Sequence, residues 1–152
     1  MATDSNEPVL IRNASKSDLD SVILLDQMGS REEKPAYWSG VFERHFSSQQ
    51  NEHHFLIAES NNQAVGFIIA EVRAWEFGSP PCGWVFALAV SPDAREMGIG
   101  QQMFQEMSAR LKQAGVSMVR TMVDRDNKLL LSFFRSMGLW TGKYFEMEKP
   151  LD

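Results

Sequence analysis

Apolar and polar positions recur along the chain with two periods, and the changes between them mark the elements. Val9-Leu10-Ile11 is a short apolar run of β-branched character that predicts a strand. Ser15, with Asp18 three residues on, has the pattern of a helix N-cap, and Leu19, Val22, Ile23, Asp26 and Gln27 carry helical spacing to about Met28. After the turn and charge signals of Gly29 to Pro35, the residues Tyr37, Trp38, Val41, Phe42 and Phe46 predict a second amphipathic helix. From His54 the period changes: Phe55-Leu56-Ile57-Ala58 and Ala64 to Ala70 read as strands. Ser60-Asn61-Asn62-Gln63 joins them as a hairpin turn, since Asn tolerates positive φ. Trp84 to Val90 is continuously apolar, as a central strand is, and Ser91-Pro92 ends it.

Gly98 opens a long helix in which Met103, Phe104, Met107 and Leu111 form the apolar stripe, closing at Gly115. Val116 to Val123 predicts another strand. Asn127 leads a short helix with Leu130, Phe133, Phe134 and Met137 on one side, ended by Gly138, and Trp140 to Leu151 is strand-like with a turn at Gly142. The order β-α-α-β-β-β-α-β-α-β is that of an α/β or α+β single domain without internal repeats.

Composition narrows the class. A length of 152 residues suits one domain, and 43% hydrophobic with 23% charged residues is ordinary for a globular protein. The single cysteine, Cys82, leaves no intramolecular disulfide or Cys-based metal cluster, so a reducing, cytoplasmic setting is expected. Residues 1–8 read as a frayed polar arm without signal-peptide character, and residues 9–152 as the domain. No apolar run reaches the ~18 residues of a membrane span, and a net charge of -5 counts against nucleic acid as a partner. His45, His53 and His54 lack a Glu or Cys at ligand spacing, so they are expected to be solvated and no metal is expected.

The chemistry concentrates in Leu88-Ala89-Val90-Ser91-Pro92-Asp93-Ala94-Arg95-Glu96-Met97-Gly98-Ile99-Gly100-Gln101. A buried strand runs through a Pro-marked turn into Arg-x-x-Gly-x-Gly and then into a helix. Free N–H groups at a helix N-terminus, the helix dipole and missing side chains at Gly98 and Gly100 together suit an anion. A Gly-x-Gly alone can equally shape a tight turn. There is no Gly-Lys-Ser/Thr, and the Arg-led spacing is not the dinucleotide fingerprint.

The stretch from Val90 to Gly100 resembles the acetyl-CoA motif of the GNAT superfamily of N-acetyltransferases. Asn127, Leu130, Phe133, Phe134 and Gly138-Leu139 resemble the family's second, helical motif, and the element order fits from Val9 to Leu151. The resemblance implies a mixed, mostly antiparallel sheet splayed between strands 4 and 5 and flanked by about four helices. It also implies an acetyl-CoA-dependent N-acetyltransferase in which a primary amine attacks the thioester directly, through a tetrahedral intermediate. Arg95, Glu96, Met97, Gly98, Ile99, Gly100 and Gln101 would give backbone N–H groups to the CoA pyrophosphate, with Arg95 adding a cation. Leu88, Ala89 and Val90 would bind the pantetheine arm as an added strand, and a backbone N–H near Leu88 would act as the oxyanion donor. Asn127, Phe133 and Phe134 would line the same arm, with Asn127 also able to cap its helix.

One position departs from the pattern. Phe134 stands where many members have a Tyr that protonates the departing thiolate, and Phe carries no proton to give. A free thiol titrates near ~8.5, so an unassisted thiolate at neutral pH is uphill by only about 2 kcal/mol. A water, Ser132 or Tyr144 could supply the proton. The acceptor amine must lose one, and Glu71, which the alternation Val65, Phe67, Ile69, Glu71, Arg73 puts within an otherwise apolar strand, leads as base; Glu59, Glu76, Asp124 and Asp126 are alternatives. Against this, Glu71 and Arg73 can simply be the strand's solvent-facing end.

Tyr37, Trp38, Tyr144 and Phe145 fall in segments that flank the family's acceptor pocket and could wall in an amine, although Trp38 with Phe42 also fits a core. The resemblance implies a small-molecule or peptide amine as partner and a monomer or homodimer. Without Tyr at position 134, a non-catalytic acyl-CoA-binding or regulatory domain is the rival reading, and an unrelated nucleotide-binding or interaction domain a third. Residues 1–94 hold 6 basic and 13 acidic side chains and residues 95–152 hold 9 and 7, so the segment with the anion motif is the cationic one.

Overall fold

The computed structural model describes residues 8–47 and 53–152; of the expected N-terminal arm, residues 1–7 lie outside the described residues. The chain forms two compact units, Met1–Met122 and Val123–Asp152. The first holds a five-stranded sheet in sequential order, built from β1 (Leu10–Asn13), β2 (His53–Ser60), β3 (Gln63–Arg73), β4 (Cys82–Val90) and β5 (Val119–Thr121). Neighbours pair antiparallel except β4 with β5, which are parallel. Helices α1 (Leu19–Ser30), α2 (Pro35–Ser47) and α3 (Ile99–Gln113) complete this unit.

Local chemistry sets these boundaries. Asp18 accepts from the Ser15 backbone N–H at 2.7 Å, starting a 3-10 turn that runs into α1. The Arg12 guanidinium grips the same carboxylate at 2.8 and 2.9 Å, and this pairing holds the Asp18 carboxyl below the usual carboxylate range. The hairpin between β2 and β3 is the tight one expected: Asn61 and Asn62 both have positive φ, 53° and 61°, and Ser60 pairs with Gln63.

Pleating gives the sheet two faces. Phe55, Ile57, Phe67 and Ile69 pack with Val22, Leu25, Trp38, Val41 and Phe42 on the α1–α2 side. On the other face α3 presses Ile99, Met103, Phe104, Met107 and Leu111 inward. Approach there is close, because a Cβ at Gly83 would meet Leu111 Cδ1 at 2.5 Å. Trp38 is therefore a core residue and no pocket wall: it is 1% exposed, edge-on to Phe67, with its indole N–H donating to Asp26 at 3.0 Å. Tyr37, its neighbour, is exposed.

The second unit contains α4 (Lys128–Ser136), capped by the Asn127 side chain, which accepts from Leu130 N–H at 3.1 Å. Two expectations are corrected. The strand expected over Val116 to Val123 is only Val119–Thr121, because a strand exists only where it has a ladder partner and the ladder with β4 covers those three residues. The tail from Trp140 to Leu151 forms no strand among the described residues; its alternating pattern finds no partner backbone in them.

Candidate functional site

β4 and β5 run together for three residue pairs, Gly83↔Val119 to Val85↔Thr121. Thr121 Oγ1 donates to Val85 O at 2.8 Å at the last of them. Beyond that point β4 continues to Val90, still paired with β3 as far as Gly66↔Val90, but without a β5 partner among the described residues. The expected splay is therefore present, and it leaves main-chain groups of Leu88 and Val90 on the open edge for an extended ligand, while Ala89 between them faces Phe67 on β3. A bulge starts the same stretch: Val85 lies opposite Ala70 and Ala87 opposite Ile69, so Phe86 has no opposite residue on β3. Bulges bend a strand and re-aim its side chains. Neither Thr121 nor the bulge carries a signal in the sequence, because both depend on which strand lies alongside.

The chain then turns sharply. Ser91 N–H donates to Val65 O at 2.8 Å, Pro92–Met97 forms a 3-10 turn, and Gly98, at φ 73°, is the residue before α3. The first backbone bond of the helix runs from Gln102 N–H to Gly98 O at 3.1 Å. The N–H groups of Ile99, Gly100 and Gln101 thus have no carbonyl within the helix and point out from its positive end. Gly98 is there for its backbone, since a Cβ at that position would meet nothing within 4 Å. Arg95, Glu96 and Met97 are exposed on the turn, and Arg95 Nε reaches back to Val90 O at 3.5 Å, which brings its charge to the end of β4. These features fit a pyrophosphate joined to an extended arm.

Glu71 lies opposite Trp84 on β4 and opposite His53 on β2. Its carboxylate is half-exposed and flanked on both sides, with His53 Nε2 at 3.4 Å and Arg73 Nε at 3.3 Å. Arg73 also stands 3.3 Å from Glu76 and lies over the Trp84 ring at 5.2 Å. Three ladder steps separate Glu71 from Ile68, the partner of Leu88, which is about 10 Å along the strand. Glu59, in contrast, is bound to Arg12 at 3.2 Å beside the first strand, a structural pairing.

The histidines are only partly solvated. His45, His53 and His54 are half-buried, and each has a ring nitrogen buried without a hydrogen-bond partner. Burial, and after it the neighbouring histidines, pushes His45 below the ordinary imidazole value; burial, then Arg110, does the same to His54. Among the described residues no group of three or more His, Cys, Asp or Glu side chains could hold a metal ion.

In the second unit, Asp124 accepts from Asp126 N–H at 2.8 Å in the turn before Asn127, so both serve that turn. Asn127 spends its side-chain oxygen on capping and keeps its amide N–H groups for another acceptor. Phe133 and Phe134 meet edge to face at 5.3 Å, and Phe134 is buried. Lys143 lies over the Tyr144 ring at 5.3 Å, and Phe145 is exposed.

The model of the acetyltransferase (GNAT) family matches residues 21–139. L-2,4-diaminobutyric acid acetyltransferase of Nocardia farcinica is 32% identical over 97 residues, covering 64% of this chain and 49% of that protein. N-alpha-acetyltransferase of Sulfurisphaera tokodaii is 26% identical over 136 residues, covering 84% and 78%. The chain thus spans about half the length of the first of these relatives. Among solved structures, the aminoglycoside N-acetyltransferase AAC(6')-Iy in complex with CoA superposes with a TM-score of 0.84 at 16% identity, covering 98% of this chain and 99% of that one. The fold is the same.

Proposed function

Since the chain belongs to the acetyltransferase (GNAT) family, we propose that it transfers an acetyl group from acetyl-CoA to a primary amine of a small molecule or peptide. Acetyl-CoA supplies an acyl group activated as a thioester. The observation that carries the reading is the continuity of the fork and the helix N-terminus. The unpaired edge of β4 at Leu88 and Val90 leads through one 3-10 turn to the open N–H groups of Ile99, Gly100 and Gln101. An extended arm ending in a pyrophosphate has that shape and charge.

Each further role follows from position. A main-chain N–H near Leu88 would meet the oxyanion as the amine adds to the carbonyl, and it needs no reorganisation to do so because β3 holds β4 in place. Glu71 takes the amine proton through water, with Arg73 and His53 fixing its orientation. Phe134 carries no proton for the leaving thiolate, so a water covers the about 2 kcal/mol involved. Residues 9–152 act as one acetyltransferase domain. A single cysteine suits a reducing, cytoplasmic setting, and among the described residues no helix is long and apolar enough to cross a membrane.

A small amine is favoured as acceptor by the relatives, one named for diaminobutyric acid, and by a neighbour bound to the bisubstrate analog CoA-S-monomethyl-acetylneamine. The test is calorimetric titration with acetyl-CoA followed by thiol release across a panel of diamines, amino sugars and peptides. Binding with amine-dependent release of free CoA is expected. Binding without release from any amine would leave an acyl-CoA-binding domain, and no binding would end both readings.

A further inference from the structure

Arg95 lies between the two halves of the proposed acetyl-CoA site, the open edge of β4 and the N-terminus of α3, and it touches the first. Ser91 N–H bonds Val65 O on β3 and Ala89 lies opposite Phe67, so every second residue of this part of β4 turns its main-chain groups toward β3. Val90, between those two, turns its carbonyl to the open edge. That carbonyl accepts from Arg95 Nε at 3.5 Å. The turn fixes the reach: Ala94 is buried and its N–H donates to Ser91 O at 2.9 Å, which holds the next residue, Arg95, over the end of β4. Three residues further on, Gly98 at φ 73° opens α3 and its free N–H groups at Ile99, Gly100 and Gln101. Within Met1–Met122 the described residues give the Arg95 guanidinium no carboxylate partner. Its charge is therefore unpaired there, and its bond to Val90 is a long one, near the limit at which such contacts hold.

We propose that Arg95 is a latch that makes the donor site select coenzyme A thioesters over thioesters without phosphate; the inference rests on the acetyl-CoA reading above. An arm added as a strand lies about 4.8 Å from β4 and gives an N–H to the Val90 carbonyl. A guanidinium nitrogen 3.5 Å from that oxygen stands in the same space, so arm and latch exclude one another. A pyrophosphate on the N–H groups of Ile99, Gly100 and Gln101 offers the guanidinium a charge-assisted, bidentate partner, which is stronger than a long bond to a neutral carbonyl. The phosphates thus draw Arg95 off the edge that the arm needs. A donor lacking them must displace the side chain unaided. The one residue therefore acts twice, against every arm and in favour of a phosphate, and only a ligand that carries both parts gains from it.

The experiment titrates the isotope-labelled full chain with coenzyme A and, separately, with pantetheine, and follows the amide resonances. Arg95→Met keeps the length of the side chain and removes its charge and its donors. Affinity for coenzyme A should fall about 10-fold, the worth of a charged hydrogen bond, while affinity for pantetheine should rise about 3-fold, the worth of a weak one. Opposite signs mark the latch, since a merely damaged site weakens both ligands. A second measurement needs no variant. Saturating inorganic pyrophosphate should tighten pantetheine binding to the wild-type chain about 3-fold, because a latch drawn off by one ligand is open to the other. In a chain that binds coenzyme A, pantetheine affinity that Arg95→Met leaves unchanged or lowers, or that pyrophosphate fails to raise, would overturn the latch alone. If coenzyme A does not bind the wild-type chain, the acetyl-CoA reading falls and the latch with it.

Discussion

The base role proposed for Glu71 rests on what holds its carboxylate. Its carboxylate keeps one side near His53 and the other near Arg73, while a third of it faces solvent, so it is oriented yet able to take a proton from a water. Glu71→Gln keeps the shape and removes that ability. Acetyl-CoA affinity should stay the same while kcat falls about 10²- to 10⁴-fold, the usual worth of a general base. The deficit should narrow toward high pH, where the amine deprotonates unaided; an unchanged rate at pH 7 would dismiss Glu71. Gly98 works through its backbone. At φ 73° a side chain is strained, and Gly98→Glu adds a negative charge where the phosphates are expected. Calorimetry should show at least a 100-fold loss of CoA affinity with an unchanged fold, and Gly98→Ala a much smaller loss.

At the scale of elements, the α1–α2 face is held by aromatic rings meeting edge to face. Trp38 lies 5.2 Å from Phe67, Phe42 lies 5.2 Å from Phe55, and the Trp38 indole is anchored to Asp26. Trp38→Ala should cost about 3–5 kcal/mol in urea unfolding, as deletion of a buried aromatic usually does; a cost below 1 kcal/mol would mean that the helix is not packed as described. The elements that sequence periodicity placed well are those with a filled face. α3 shows its stripe of Met103, Phe104, Met107 and Leu111, and the Asn61-Asn62 turn carries its own positive-φ preference. β5 and the tail were misplaced for the opposite reason: both have strand-forming residues, and a strand's length is decided by its neighbour.

For the whole molecule, charge and burial set the response to acid. His45 and His54 are neutral in the fold because burial disfavours their charged forms, whereas the unfolded chain protonates them below an ordinary value of 6.5. The unfolded state then binds more protons, so stability falls as pH drops below about 6.5 toward their lower folded values. Thermal melts should show Tm declining from pH 7 to pH 5, and His45→Phe should flatten that decline; a flat wild-type profile would dismiss the account. Asp18, held by Arg12, adds a second loss below its ordinary 3.8. The amino-acid sequence by itself determined the helices, the hairpin, the central strand and the Gly98 turn, because each is written in local periodicity, capping or φ preference. Only the tertiary structure decided that β4 and β5 part after Val85, that Trp38 is core and that Glu59 serves Arg12. Those depend on which distant residue lies alongside, and no local pattern in a chain encodes its neighbour.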